Sequence, residues 1–343
     1  MKLGLILGYS GAQLHMPMDM VLEAERLGFD SVWTAEAWGS DAVSPLAWIG
    51  ARTERIRLGT AIMQLPGRSP SNTAMTAMTL DALSGGRMIL GLGTSGPQVV
   101  EGWHGKPWFK TLTWMREYLT IVRRVFAREA PLQFDGVHYQ IPFKGEGSKG
   151  LGKPLRSILH GRKDIPIYTG SMAPKGQALC GELADGCLFV CMHPERMEEN
   201  TKYIREGFER RPPGLRDAGV FDLAPNVAVV VGDDLDACRN PLRHMLALYV
   251  GGMGARSKNF YNEYVRRVGF EEEAIRIQDL YLDGKKGEAA NAVTDEMVDA
   301  FNLVGPPERI KDQFARWQEA GIGTMLVGSQ QVEALRLLAE LNA

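Results

Sequence analysis

Arg87-Met-Ile-Leu-Gly-Leu-Gly-Thr-Ser-Gly96, with Pro97 behind it, decides how the 343-residue chain is read. Met88 to Leu90 is a short apolar run of the kind that forms a strand covered on both faces. Ser84-Gly85-Gly86 ahead of it is a turn signal. Gly91, Gly93 and Gly96 then clear side chains from the strand's exit, so a ligand can approach the backbone and amides are left free to donate. α/β proteins bind their ligands at that end of a parallel strand. The spacing Gly91-x-Gly93-x-x-Gly96 also satisfies a dinucleotide fingerprint. That motif must open a helix inside the first βαβ unit. Here Pro97 and Gln98 lead into Gly102, Gly105 and Pro107, which reads as a long loop, and three strand-like segments come before it. A glycine-rich turn with no ligand is the plain alternative.

Outward from this stretch, strands alternate with helices. Strand-like segments lie at Lys2–Gly8, Ser31–Ala35, Ile56–Ile62, Arg87–Gly93, Ile165–Gly170, Gly186–Cys191, Leu223–Val231 and Thr324–Gly328. Helical periodicity fills the intervals, as in Met18–Leu27, Pro70–Leu83 and Pro174–Ala184, with Pro at first helical positions and Gly past the ends. Eight βα units with nearly continuous apolar strands predict a closed (β/α)8 barrel, one domain over residues 1–343. Extra material follows the fourth and seventh strands. Residues 131–163 have no sustained period and read as a surface insertion, and residues 234–302 as a helical excursion with breaks. Segments of this kind act as lids or insertions. A doubly wound open sheet is the competing architecture.

Composition narrows the function. A net charge of −2 gives no reason to expect nucleic acid or an anionic membrane as partner. No apolar run reaches the roughly 18 residues of a membrane span. Cys180, Cys187, Cys191 and Cys238 have no CxxC spacing and read as reduced thiols of a cytoplasmic protein. No His/Asp/Glu spacing matches a metal site, so none is expected.

In such a barrel the chemistry sits at the strands' C-terminal ends. Tyr9, Ser10, Gly11 and His15 follow the first strand. Glu36, Ala37 and Trp38 follow the second, and Ala61, Ile62, Met63 and Gln64 the third. Thr94, Ser95 and Gly96 follow the fourth, Gly170, Ser171 and Met172 the fifth, and His193 the sixth. Small residues at strands four and five beside apolar bulk at two and three suit a flat aromatic cofactor with a phosphate tail. Free amides at the helix beginning Pro174 would bind that tail, with Lys175 adding charge, and an ordinary capped junction is the alternative. Glu36 is a candidate general acid or base, or equally the partner of an arginine such as Arg68. His104 is a second catalytic candidate on a rim loop, where a histidine is otherwise polar surface.

Together, Ala24-Glu-Arg-Leu-Gly-Phe-Asp-Ser-Val-Trp-Thr-Ala-Glu36, Ala51-Arg-Thr-Glu-Arg-Ile-Arg-Leu-Gly-Thr60 and Thr79-Leu-Asp-Ala-Leu-Ser-Gly-Gly-Arg-Met-Ile-Leu-Gly-Leu-Gly93 resemble the bacterial-luciferase-like superfamily. Gly181–Gly186 and Val304–Arg309 extend the likeness across nearly the whole chain. Glu101-Gly-Trp-His-Gly105 is similar to the coenzyme F420-dependent branch. The resemblance implies a deazaflavin, or alternatively FMN, at the strand ends and hydride transfer to or from a small organic substrate. It implies a non-proline cis peptide at Ala61–Ile62 backing the cofactor ring. Thr94 and Ser95 match the ring and ribityl contacts, and Gly170, Ser171 and Met172 the phosphate-tail contact. A homodimer is also implied. One position departs: where many members place a histidine after the second strand, this chain has Ala37. A reduced-flavin monooxygenase and a non-catalytic F420-binding protein are the rival readings.

Overall fold

The computed structural model describes residues 1–8 and 10–343. Eight parallel strands close on themselves. We number them β1 (Lys2–Gly8), β2 (Ser31–Thr34), β3 (Arg57–Thr60), β4 (Met88–Gly93), β5 (Ile167–Gly170), β6 (Gly186–Val190), β7 (Asp222–Val231) and β8 (Thr324–Gly328). Each pairs in parallel with its neighbours, and β8 closes the ring on β1 through Lys2–Thr324 to Leu5–Val327. The result is a (β/α)8 barrel. An open doubly wound sheet, which leaves two free edges, is excluded.

The strands alternate between two cores. Outward side chains join the large cluster shared with the helices, such as Leu58, Met88, Leu90 and Ile167. Inward ones form a separate plug of Trp33, Ile89, Tyr168, Leu188, Ala224 and Leu326, with Ile6, Ala61 and Ile62 packed on top. Trp33 is too large for an ordinary barrel layer and sits there because neighbouring strands omit side chains. A Cβ on Gly59 would overlap its indole, and one on Gly4 would lie 2.9 Å from its Nε1. The indole N–H donates to Ser31 Oγ at 2.8 Å, so no polar atom of the ring is stranded.

Local signals explain the flanking helices. Pro70–Leu83 begins on a Ser69 cap whose hydroxyl accepts from Asn72 N, and ends where Gly85 and Gly86 take positive φ. Arg87 ties the floor of β4 to the segment leading into β3, its guanidinium donating at 2.9 Å to the carbonyls of Gly50, Thr53 and Ile56 and to Thr53 Oγ1.

Four sequence expectations need correction. The third strand stops at Thr60 and resumes as Met63–Gln64, because the chain turns inward at Ala61–Ile62. The stretch after Gly96 is not all loop: Pro97–Gly102 is a six-residue helix. Proline's fixed φ starts it, and Gly102 and Gly105 stop it. The 131–163 segment contains a small hairpin, Phe134–Asp135 with Gln140–Ile141. Leu303–Gly305 adds an unforeseen parallel strand on the far end of β7. Residues 235–301 are five helices and one π-turn packed over the β6–β7 corner. Among the described residues, no helix is long and apolar enough to cross a membrane.

Candidate active site

The rim is organised by the inward turn after β3. Thr60 Oγ1 donates to the Gly91 carbonyl and accepts from Gly91 N, both at 2.8 Å. A Cβ at Gly91 would collide with the Thr60 carbonyl, so glycine is required for this approach. The Ala61–Ile62 peptide is cis. Ala61 N donates to Thr34 O at 2.7 Å and Ile62 O accepts from Glu36 N at 3.2 Å, which fixes the turn to the end of β2. Met63 and Gln64 then pair with Leu92 and Gly93. Ile62 thereby reaches over the barrel mouth. A Cβ at Gly93 would lie 2.9 Å from Ile62 Cδ1, and one at Gly170 would lie 3.4 Å from Ile62 Cγ2. Ala61, Ile62 and Gly170 therefore share one surface, an apolar floor framed by glycines.

Glu36 is buried beside this floor, and its side chain is 8% exposed. Arg68 Nη1 donates to both carboxylate oxygens, at 2.9 and 3.0 Å. Gln64 N donates to Oε1 at 3.0 Å and Ala42 N to Oε2 at 3.2 Å. Arg68 is held in turn by Tyr118, whose hydroxyl donates to the Arg68 carbonyl at 3.2 Å. Of the two sequence readings of Glu36, the geometry realises the arginine partnership. Three donors making four contacts occupy the carboxylate, which leaves it little room to engage a ligand.

The same loop reaches His104. Its Nε2 is 2.9 Å from Gln64 Oε1, and Gln64 Nε2 donates to Ser95 Oγ at 3.4 Å. Ser95 takes φ +62, and its carbonyl accepts from Trp108 Nε1 at 3.3 Å. Burial lowers the His104 pKa, the Glu36 charge opposes that, and Lys106 and Arg68 add to it. That shift favours the neutral imidazole, which can accept a proton. Sequence reasoning placed Gln64 at the rim after the third strand but gave a role only to Glu36, His104 and Ser95, all three of which Gln64 touches. A polar side chain set against a strand end was the available signal.

The fifth-strand exit is arranged differently from an ordinary capped junction. The helix Pro174–Leu183 has no side-chain cap, and Ala173 stands at its N-cap. A Cβ at Gly176 would overlap the Ser171 hydroxyl, so Ser171 lies directly over the first turn. Gln177, in that turn's continuation, is fully buried with neither amide atom paired. Such groups are normally met by a ligand or ordered water. Met172 follows the fifth strand as expected; its side chain is in the core and its carbonyl accepts from Arg267 at 2.9 Å. Thr94 is partly exposed between Gly93 and Ser95. His193, just past the end of β6, packs against Phe270 and Phe301. Tyr9 lies outside the described residues. Among the described residues no three metal-binding side chains converge.

An apolar floor, a glycine frame, an uncapped helix start and an imidazole thus lie at the C-terminal ends of the strands. Residues 3–324 match the luciferase-like monooxygenase family, and the chain belongs to it. It is similar to a Mycobacterium tuberculosis protein bearing the provisional name coenzyme F420-dependent oxidoreductase Rv3520c, with 47% identity over 99% of each chain. It is 31% identical to the 5,10-methylenetetrahydromethanopterin reductase of Archaeoglobus fulgidus, over 89% of this chain and 87% of that one. Among solved structures, the coenzyme F420-dependent tetrahydromethanopterin reductase of Methanopyrus kandleri superposes with a TM-score of 0.77. That match covers 99% of this chain and 97% of the other at 24% identity, a likeness of fold.

Proposed function

We propose that the chain, taken as one barrel domain over residues 1–343, is a coenzyme F420-dependent oxidoreductase moving hydride between the deazaflavin C5 and a small organic substrate. The observation that carries this reading is the inward Ala61–Ile62 turn, seated by Gly91 and framed by Gly93 and Gly170. It provides a bare, apolar platform for a fused-ring cofactor, and the names carried by the full-length relatives supply the chemistry. When bound, the deazaflavin gives or takes the hydride. The chain's residues position, exclude water and handle the proton.

In this reading Ala61 and Ile62 back the ring, and Thr94 and Ser95 line its edge and the ribityl chain. Gly170, Ser171 and the Met172 amide meet the phosphate region at the uncapped helix, where free N–H groups and the helix dipole favour an anion. His104 is the catalytic residue that accepts or returns the proton. Glu36 anchors the loop that presents it. Trp48 and Met75, 52% and 57% exposed on neighbouring helices, are available to a second copy, which supports a homodimer. Four buried free thiols support a reducing, cytoplasmic setting.

The test is a titration of purified protein with oxidised F420 and with FMN, followed by cofactor fluorescence. Micromolar binding of F420, with turnover on an alcohol, enone or imine panel, is the expected result. Binding of FMN alone would replace the reading with a reduced-flavin monooxygenase. F420 binding without turnover on any member of the panel would favour a non-catalytic binding protein.

A further inference from the structure

We infer that Gln64 is a positioning residue that holds His104 in the Nε2–H tautomer, so that Nδ1 is the atom that exchanges the substrate's proton. The inference rests on the proposed role of His104. Gln64 is fixed at three points. Its backbone N–H donates to Glu36 Oε1 at 3.0 Å, its Nε2 donates to Ser95 Oγ at 3.4 Å, and its Oε1 lies 2.9 Å from His104 Nε2. It is only 3% exposed, so its amide has no solvent alternative. With Nε2 directed at Ser95, Oε1 must accept, and the imidazole nitrogen facing it must carry the hydrogen. Nδ1 then keeps the lone pair. An amide turned the other way would leave Nε2 as the acceptor and reverse the assignment.

When an alcohol is oxidised, the substrate O–H bond breaks and its proton goes to Nδ1. The O–H electron pair would become the carbonyl's second bond as the C–H pair departs as hydride, for which bound, oxidised F420 would be the acceptor. Reduction runs the same path backwards. The charged groups facing His104 are Glu36 from the end of β2, Arg68 beyond the β3 turn, and Lys106 on its own loop. The hydrogen bond at the ring is the one to the neutral Gln64 amide, which sets its tautomer.

The experiment uses cofactor-free protein labelled with 15N-histidine, with His104→Gln to assign the resonance among the six histidines. Wild type is expected to show a protonated Nε2 and an unprotonated Nδ1 at pH 8. Gln64→Leu should give a mixed tautomer. Gln64→Glu keeps an acceptor in place but adds a charge, and should raise the imidazole pKa by about one unit. In alcohol oxidation at saturating F420, the acid limb of kcat/KM for the alcohol should move up equally, a roughly tenfold loss on that limb. A wild-type Nδ1–H tautomer, or a Gln64→Leu spectrum identical to wild type, overturns the inference. These spectra need no cofactor, so they separate its failure from failure of the F420 reading. A tautomer as expected with an unmoved pH limb would leave Gln64 where it is placed and overturn the role given to His104.

Discussion

Arg68→Met should destabilise the protein through a charge it never carried. Glu36, with its side chain 8% exposed, would lose the donor that contacts both its oxygens. Breaking a fully buried ion pair costs roughly 3–5 kcal/mol. Two features reduce that here. Arg68 is 19% exposed in its side chain, and the Gln64 and Ala42 amides still donate to the carboxylate. About 2–3 kcal/mol is the resulting expectation. With about 2.1 cal/mol/K of unfolding entropy per residue, 343 residues give roughly 0.7 kcal/mol/K, so Tm should fall by about 3–4 °C.

The sign of the double variant is the sharper measurement. Glu36→Gln in the Arg68→Met background removes the stranded charge while keeping an acceptor for the backbone amides. The pair should be more stable than Arg68→Met alone, with a coupling of about 1–3 kcal/mol. Urea unfolding of wild type, both single variants and the double gives the cycle, provided each transition is reversible and two-state. A loss under about 0.5 kcal/mol for Arg68→Met would refute the reasoning, as would a double variant less stable than the single. Either result would mean that Glu36 is solvated and free to act as an acid or base.

Gly170→Val should fold, since the place of its Cβ meets only Ile62 Cγ2 at 3.4 Å, yet the branched side chain should enter the mouth and weaken F420 at least about tenfold by fluorescence titration. Gly59→Ala should cost about 1–3 kcal/mol in urea unfolding by driving a methyl into Trp33, and Trp33→Phe in the same chain should return part of it. Burial lowers the His193 pKa below its ordinary 6.5, with Glu195 opposing and Arg196 and Arg316 assisting. The unfolded chain therefore binds the proton more readily, so stability is intact above pH 6.5 and lost as pH falls below it. His193→Phe should flatten that slope in a pH series of melting curves.

The barrel was legible because each of its strands obeys one rule twice. A strand covered on both faces must be apolar throughout, and runs such as Met88-Ile-Leu90 or Thr324-Met-Leu-Val327 have no other stable place in a chain of this composition. Gly96 and Pro97 were read as loop because six residues are too few to display a helical period, though Pro97 itself was the start signal. The broken third strand was hidden for a different reason. Thr60, Ala61 and Ile62 suit a continuous strand by type, and what bends them is a contact with Gly91, about thirty residues on.

The site divides along the same line. Glycine exits and a helix-opening proline are local signals, and they placed Gly91, Gly93, Gly170 and Ser171 correctly on the rim. Whether Glu36 serves chemistry or architecture depends on how many donors reach it, and those come from residues 42, 64 and 68, on two separate loops. A carboxylate between two roles cannot be assigned from its neighbours in sequence, because the deciding quantity is its desolvation and its count of partners. That is also why Gln64, named at the third strand's exit, was given no role. Its side chain carries no charge and belongs to no motif. Its importance lies in joining β2's carboxylate, β4's serine and a loop imidazole at one point, a property of the closed ring and not of the linear order.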